Sequence, residues 1–167
     1  MANPVTTTTV APCSRPFKTG TTTRVIDKRS VQLTVPAQYE GRTPIPVVFA
    51  LHPLSVPYIA APSIAGLDDM AKHYTFISVA PSGRVTPTPF WNATAVPHNE
   101  DVRFLGHVLD WLEGHLCVDA TRVYSLGMSN GAQMSSALAV SSRTASPRSR
   151  RLPAPSSTTL AAAGPCR

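Results

Sequence analysis

Beyond Ser129 the sequence holds no Asp, no Glu and no His. Within these 167 residues, that stretch supplies neither a catalytic acid nor a base. Cysteine is scarce as well. Cys13, Cys117 and Cys166 are too far apart for a C-x-x-C pair, so no metal site is expected. Cys13 and Cys117 leave two readings open: one disulfide in an exported protein, or a buried thiol at Cys117. Long hydrophobic runs are missing too. The longest, "IPVVFAL", is far too short to cross a bilayer, so no membrane partner is expected. The opening "MANPVTTTTVAP" has neither the charged nor the apolar segment of a secretory signal.

Charged residues make up only 14% of the chain, yet the net charge is +6. Its position decides what it means. Five of the 15 Lys and Arg (Arg143, Arg148, Arg150, Arg151 and Arg167) lie after residue 139, where there is no acid. The other ten face nine acids, so the body of the chain is near neutral and no nucleic-acid partner is expected. A length of 167 residues suits one domain with a buried core.

Residues 1–20 are rich in Thr and Pro and read as a flexible leader. "TTTRVI" and "SVQLTVP" flank Asp27-Lys28-Arg29 and predict an antiparallel hairpin over 21–35. "VVFAL" is a continuous apolar run, as expected for a strand buried on both faces. Strands are predicted near 46–51, 75–80 and 122–126, and helices near 63–73, 100–115 and 130–139. The first helix rests on the spacing of Ile64, Leu67 and Met70. The second is capped by Asn99 or Asp101, with Val102, Leu105, Val108, Leu109 and Leu112 on one stripe. Alternating strands and helices give an α/β class: a mostly parallel sheet with an antiparallel leading hairpin and helices on both faces. Ligands in such sheets sit at the carboxyl ends of the strands, here at His52, Pro81 and Ser129.

Gly127-Met128-Ser129-Asn130-Gly131 has the G-x-S-x-G spacing of a nucleophile elbow. The sharp strand-to-helix turn exposes a serine, and glycine two residues to either side avoids a steric collision. The helix that follows aims its free N–H groups at the same point, making the Asn130 N–H one oxyanion donor. The second donor comes from "LHPLSVP". Pro53 has no N–H, which leaves Leu54. His52, Trp91 and Asn92 are possible pocket residues, and Trp91-Asn92 can equally well serve to fold the loop down. His73, His98, His107 and His115 read as ordinary helix or loop side chains.

"VVFALHP", "FISVAPSG", "WN" and above all "CVDATRVYSLGMSNGAQM" resemble the secreted α/β-hydrolase esterases of the polyhydroxybutyrate depolymerase, feruloyl esterase and acetylxylan esterase group. The similarity runs over about residues 11–139. It implies the amino-terminal part of an α/β-hydrolase domain over 21–139, with Ser129 as nucleophile and Asn130 and Leu54 as the oxyanion hole. It also implies no cofactor, a polyester or plant cell-wall ester as substrate, and an extracellular location. The family usually has Gly where Pro53 stands, and often a second Gly where Ala132 stands.

The resemblance stops after Ala139. Residues 140–167 have no helical or strand period and are expected to form an unstructured basic tail. If the codons for Ser142 to Ala154 are read one base out of frame, they permit Leu-Ala-Asp-Arg-(Phe or Val)-Ala-Ala-Val-Ala-Pro-Val-Ala-Gly. That stretch resembles the family's continuation past its nucleophile helix. The expectation is a frameshift near codon 140 that replaced the acid and the base. The competing reading is a non-catalytic product or a basic-tailed binding module.

Overall fold

Val47 to Leu51 are all buried, and they lie in an inner strand of the sheet. The computed structural model describes residues 13–94, 96 and 98–144, and for 142–144 the backbone only. The expected readings for 1–12 and 145–167 lie outside the described residues. The chain runs β1 (Gly20–Ile26), β2 (Arg29–Val35), β3 (Ile45–Leu51), α1 (Ala61–Ile64), α2 (Leu67–Met70) and β4 (Ile77–Pro81). It continues with β5 (Arg84–Val85), β6 (Pro89–Phe90), α3 (Glu100–His115), β7 (Val118–Gly127) and α4 (Asn130–Thr144).

The main sheet has the order β1-β2-β4-β3-β7. β4, β3 and β7 are parallel, and the β1–β2 hairpin joins β4 antiparallel. Alternate residues of β3 face opposite layers. Val47, Phe49 and Leu51 pack with Phe104, Leu105, Val108 and Leu109 of α3 and with Met134 and Leu138 of α4. Val48 and Ala50 pack with Ala61 of α1 and Leu67 of α2. Helices on both faces of a mostly parallel sheet are the architecture read from the sequence. The parallel order also puts the carboxyl ends of β3, β4 and β7 along one edge.

Three differences have local causes. The helix expected at 63–73 is split in two, because Gly66 takes a left-handed φ of 70° between α1 and α2. Ile64 and Met70 are accordingly exposed, and Leu67 alone of the expected stripe is buried. In α3 the Asn99 side chain is the cap, accepting from the Asp101 and Val102 N–H groups, which frees Asp101 for another role. Phe104 joins the buried stripe and Val102 sits at its margin. Finally, α4 runs to Thr144 rather than stopping at 139; no Gly or Pro interrupts 132–144.

Residues 13–19 are fastened to the domain and are not a free leader. Cys13 is disulfide-bonded to Cys117. The Arg15 N–H donates to the Gly41 carbonyl at 2.9 Å, and the Tyr39 hydroxyl donates to the Arg15 carbonyl at 2.7 Å. Phe17 packs edge-on against Trp111 of α3. Among the described residues no helix is long and apolar enough to cross a membrane.

Candidate active site

β7 ends at Gly127 and α4 begins at Asn130, so Ser129 occupies the turn between them. Its φ is 52°, in the left-handed region that costs a non-glycine residue of order 1–3 kcal/mol. The turn is closed by two bonds, Gly131 N–H to the Met128 carbonyl and Gln133 N–H to the Ser129 carbonyl, both at 3.0 Å. Close packing explains both glycines. A Cβ on Gly127 would lie 2.5 Å from the Leu51 carbonyl oxygen and 2.7 Å from the Gly131 carbonyl carbon. A Cβ on Gly131 would lie 2.0 Å from the same Leu51 oxygen. The elbow is therefore pressed onto the end of β3 as well as folded on itself. Ser129 is exposed, and its hydroxyl has no hydrogen-bond partner among the described residues.

Gly131→Ala tests this packing. It is expected to destabilise the chain by about 1–3 kcal/mol, the cost of forcing an extra methyl group into a packed site. An unchanged urea midpoint would mean that the Leu51 carbonyl is free to move away.

His52 does not line a pocket. It is fully buried under the elbow. Its Nδ1–H donates to the Pro53 carbonyl at 2.8 Å, and its Nε2 accepts from the Gly83 N–H at 2.9 Å. With both ring nitrogens occupied it is a neutral structural histidine, unavailable to Ser129 as a base. Trp91 packs on its ring, with centroids 5.1 Å apart, and the indole N–H donates to the His52 carbonyl at 3.2 Å. Trp91 is thus buried and holds its loop down, and together with Asn92 it also lines the cleft beside Asn130, so both roles open to it are filled.

The Asn130 side chain completes the connection. Its Oδ1 accepts from the Trp91 N–H at 2.7 Å, and its Nδ2 donates to the Trp91 carbonyl at 3.0 Å. The loops after β3 and β4 are therefore tied to each other and to the first residue of α4. The Leu54 side chain is exposed. Neither the Leu54 nor the Asn130 N–H is engaged by another group among the described residues. A cleft of about 540 Å³ opens beside Asn130, lined by Phe90, Trp91, Asn92 and Gln133 among others.

Burial lowers the His52 pKa below the ordinary 6.5, outweighing the Pro53 hydrogen bond, which raises it. The native ring stays neutral where the unfolded one takes up a proton. Stability is then full above the unfolded pKa of 6.5 and falls as the pH drops through it toward the lower native value. The melting temperature of the unsubstituted chain should decline more steeply from about pH 7.5 to about pH 5 than that of His52→Gln, which does not titrate. Parallel declines would contradict the buried neutral ring.

The other histidines are placed elsewhere. His107 pairs with Asp27 at 2.5 Å, and His115 Nδ1 bonds the Trp111 carbonyl and stacks on its ring. His73 and His98 are exposed, after α2 and before α3. Among the described residues no cluster of three or more His, Cys, Asp or Glu can hold a metal ion.

Asp101 is the residue the sequence reading missed. It is fully buried, accepting from Arg29 Nη1 at 2.6 Å and from the Asn92 N–H at 2.7 Å. Arg84 approaches it at 3.6 Å and pairs with Glu100. The Asn-x-Asp spacing was its only trace in the sequence, and a helix cap accounts for that spacing equally well.

No family model matches the sequence, and no curated protein matches it in sequence. Solved structures do match in fold. The acetyl xylan esterase from Aspergillus awamori superposes with a TM-score of 0.62 at 18% identity, over 72% of this chain and 46% of its own. The S-formylglutathione hydrolase from Agrobacterium tumefaciens gives 0.53 at 19% identity, over 78% and 56%. A thermostable esterase gives 0.54 at 14% identity, over 70% and 36%. The chain thus spans about half the length of the solved structures it matches.

Proposed function

We propose that this chain carries the nucleophile half of a serine carboxylic-ester hydrolase. The observation that carries the reading is Ser129, exposed at φ 52° between a parallel strand and a helix, with glycines where any side chain would strike the Leu51 carbonyl. Ser129 Oγ attacks the ester carbonyl carbon as its proton passes to a base. The tetrahedral oxyanion takes hydrogen bonds from the Asn130 and Leu54 N–H groups. Collapse expels the alcohol, and water then releases the acid from the acyl-serine. Asn130 also acts through its side chain, which fixes the loop that walls the cleft.

The same geometry argues that the 167-residue chain turns over poorly. Among the described residues Ser129 has no base, and the histidine beneath the elbow is bonded at both nitrogens. The shifted reading frame after codon 140 is the proposed source of the missing acid and base. β7 supports this, because among the described residues it pairs with β3 alone and leaves its other edge open. Resemblance to polyhydroxybutyrate depolymerases and feruloyl or acetylxylan esterases favours a polyester or a plant cell-wall ester as substrate. The Cys13–Cys117 disulfide favours an extracellular location, since such bonds persist in oxidising compartments.

Assay with p-nitrophenyl acetate and butyrate tests the proposal. The 167-residue chain should stay near the uncatalysed background. A chain with the shifted frame restored should turn over, and Ser129→Ala should abolish that turnover. Turnover by the restored chain that survives Ser129→Ala would remove Ser129 from the mechanism. Strong Ser129-dependent turnover by the 167-residue chain would remove the frameshift.

A further inference from the structure

A second cleft, of about 650 Å³, lies between the β1–β2 turn and the loop after β4. Three cations line it: Lys28, Arg29 and Arg84. Two acids face them. Asp101, beneath, is engaged by Arg29 and the Asn92 N–H, and Glu100, at the rim, is paired with Arg84. Asp27, next to Lys28 in the turn, is held by His107 instead. The balance is one positive charge in excess. Arg84 Nε is buried 3.6 Å from Asp101 Oδ1 and turned toward that carboxylate, so the charge left over belongs to Lys28, which is exposed. Arg84 and Phe90 line this cleft and also the one beside Asn130, so the two share a wall.

The geometry points to a carboxylate subsite at Lys28 and Arg84, reached along Phe90 from the elbow. Resting on the assignment of Ser129 as nucleophile, it narrows the substrate to esters that carry a free carboxylate several atoms from the scissile bond. Lys28 supplies the untied point charge for a carboxylate oxygen, and the planar Arg84 guanidinium, held by Glu100 and Asp101, walls the cleft beside it. Phe90 gives the intervening aliphatic chain an apolar wall. Neither the elbow spacing nor the likeness in fold dictates this pocket, because it is built by the hairpin turn and the loop after β4.

Binding by the 167-residue chain tests the subsite without requiring turnover. The probes are monoethyl glutarate and its uncharged counterpart diethyl glutarate, followed through the backbone amide signals of Gly83, Arg84, Phe90 and Asn130. The monoester should bind about tenfold tighter or better, the effect of one charge-assisted hydrogen bond, and salt should erode the preference. Lys28→Gln and Arg84→Gln should each remove most of it. Arg84→Gln also loosens Glu100, so Lys28→Gln, in a solvent-exposed turn, is the decisive variant, and its melt should match that of the unsubstituted chain. Equal affinity for the two esters would overturn the subsite, as would a preference that survives Lys28→Gln. Failure of the nucleophile assignment shows separately, as Ser129-independent turnover by the restored chain.

Discussion

Opening the Cys13–Cys117 disulfide is expected to bring the chain close to its unfolding threshold. The bond closes a loop of 104 residues. Removing such a link restores chain entropy to the unfolded state, worth about 4.7 kcal/mol for a loop of roughly 100 residues. Domains of this size are stable by only about 5–15 kcal/mol in total. Cys13→Ser is the cleaner variant, since Cys117 then remains as a buried thiol in apolar surroundings. Its urea midpoint should fall well below that of the oxidised chain, and dithiothreitol should move the unsubstituted chain to the same place. A shift of less than about 1 kcal/mol would mean that the 13–19 segment is held by Tyr39, Gly41 and Trp111 without the covalent link.

Asp101→Ala should cost about 3–5 kcal/mol, the penalty for leaving a buried ion-pair partner uncompensated. Three segments meet at this carboxylate: Arg29 at the start of β2, the Asn92 backbone and the first turn of α3. Arg29 also lies over the Phe104 ring, 4.4 Å from its centroid, so it is not free to swing into solvent. Replacing both partners, as Arg29→Met with Asp101→Leu, should recover part of the loss, because well-packed apolar pairs often match buried ion pairs. Asn92 N–H stays without its acceptor, so recovery should be incomplete. Equal stability of Asp101→Ala and the unsubstituted chain, by urea denaturation, would show that water enters and solvates Arg29.

Local chemistry was sufficient for the central elements. The alternation of Val31, Leu33 and Val35 reads as a half-buried strand, since a strand's side chains alternate with period two, and the unbroken apolar run at 47–51 reads as a strand buried on both faces. The elbow was equally legible, because glycine on both sides of a serine at a strand-to-helix junction has a steric meaning by itself. What the sequence could not state was the partner in that steric conflict. The Leu51 carbonyl is 80 residues before Gly131 and comes to it only because β3 and β7 pair in parallel. The same holds for His52, which the sequence left as a pocket residue. Its two bonds, to the neighbouring Pro53 carbonyl and to Gly83 just after β4, make it a buried neutral brace. Asp101, Arg29 and Arg84 are surface-type residues in composition. Only the crossing of the hairpin, the loop after β4 and α3 takes one of them out of water and leaves the others around a cleft, since a charge is buried only where the fold brings it a partner.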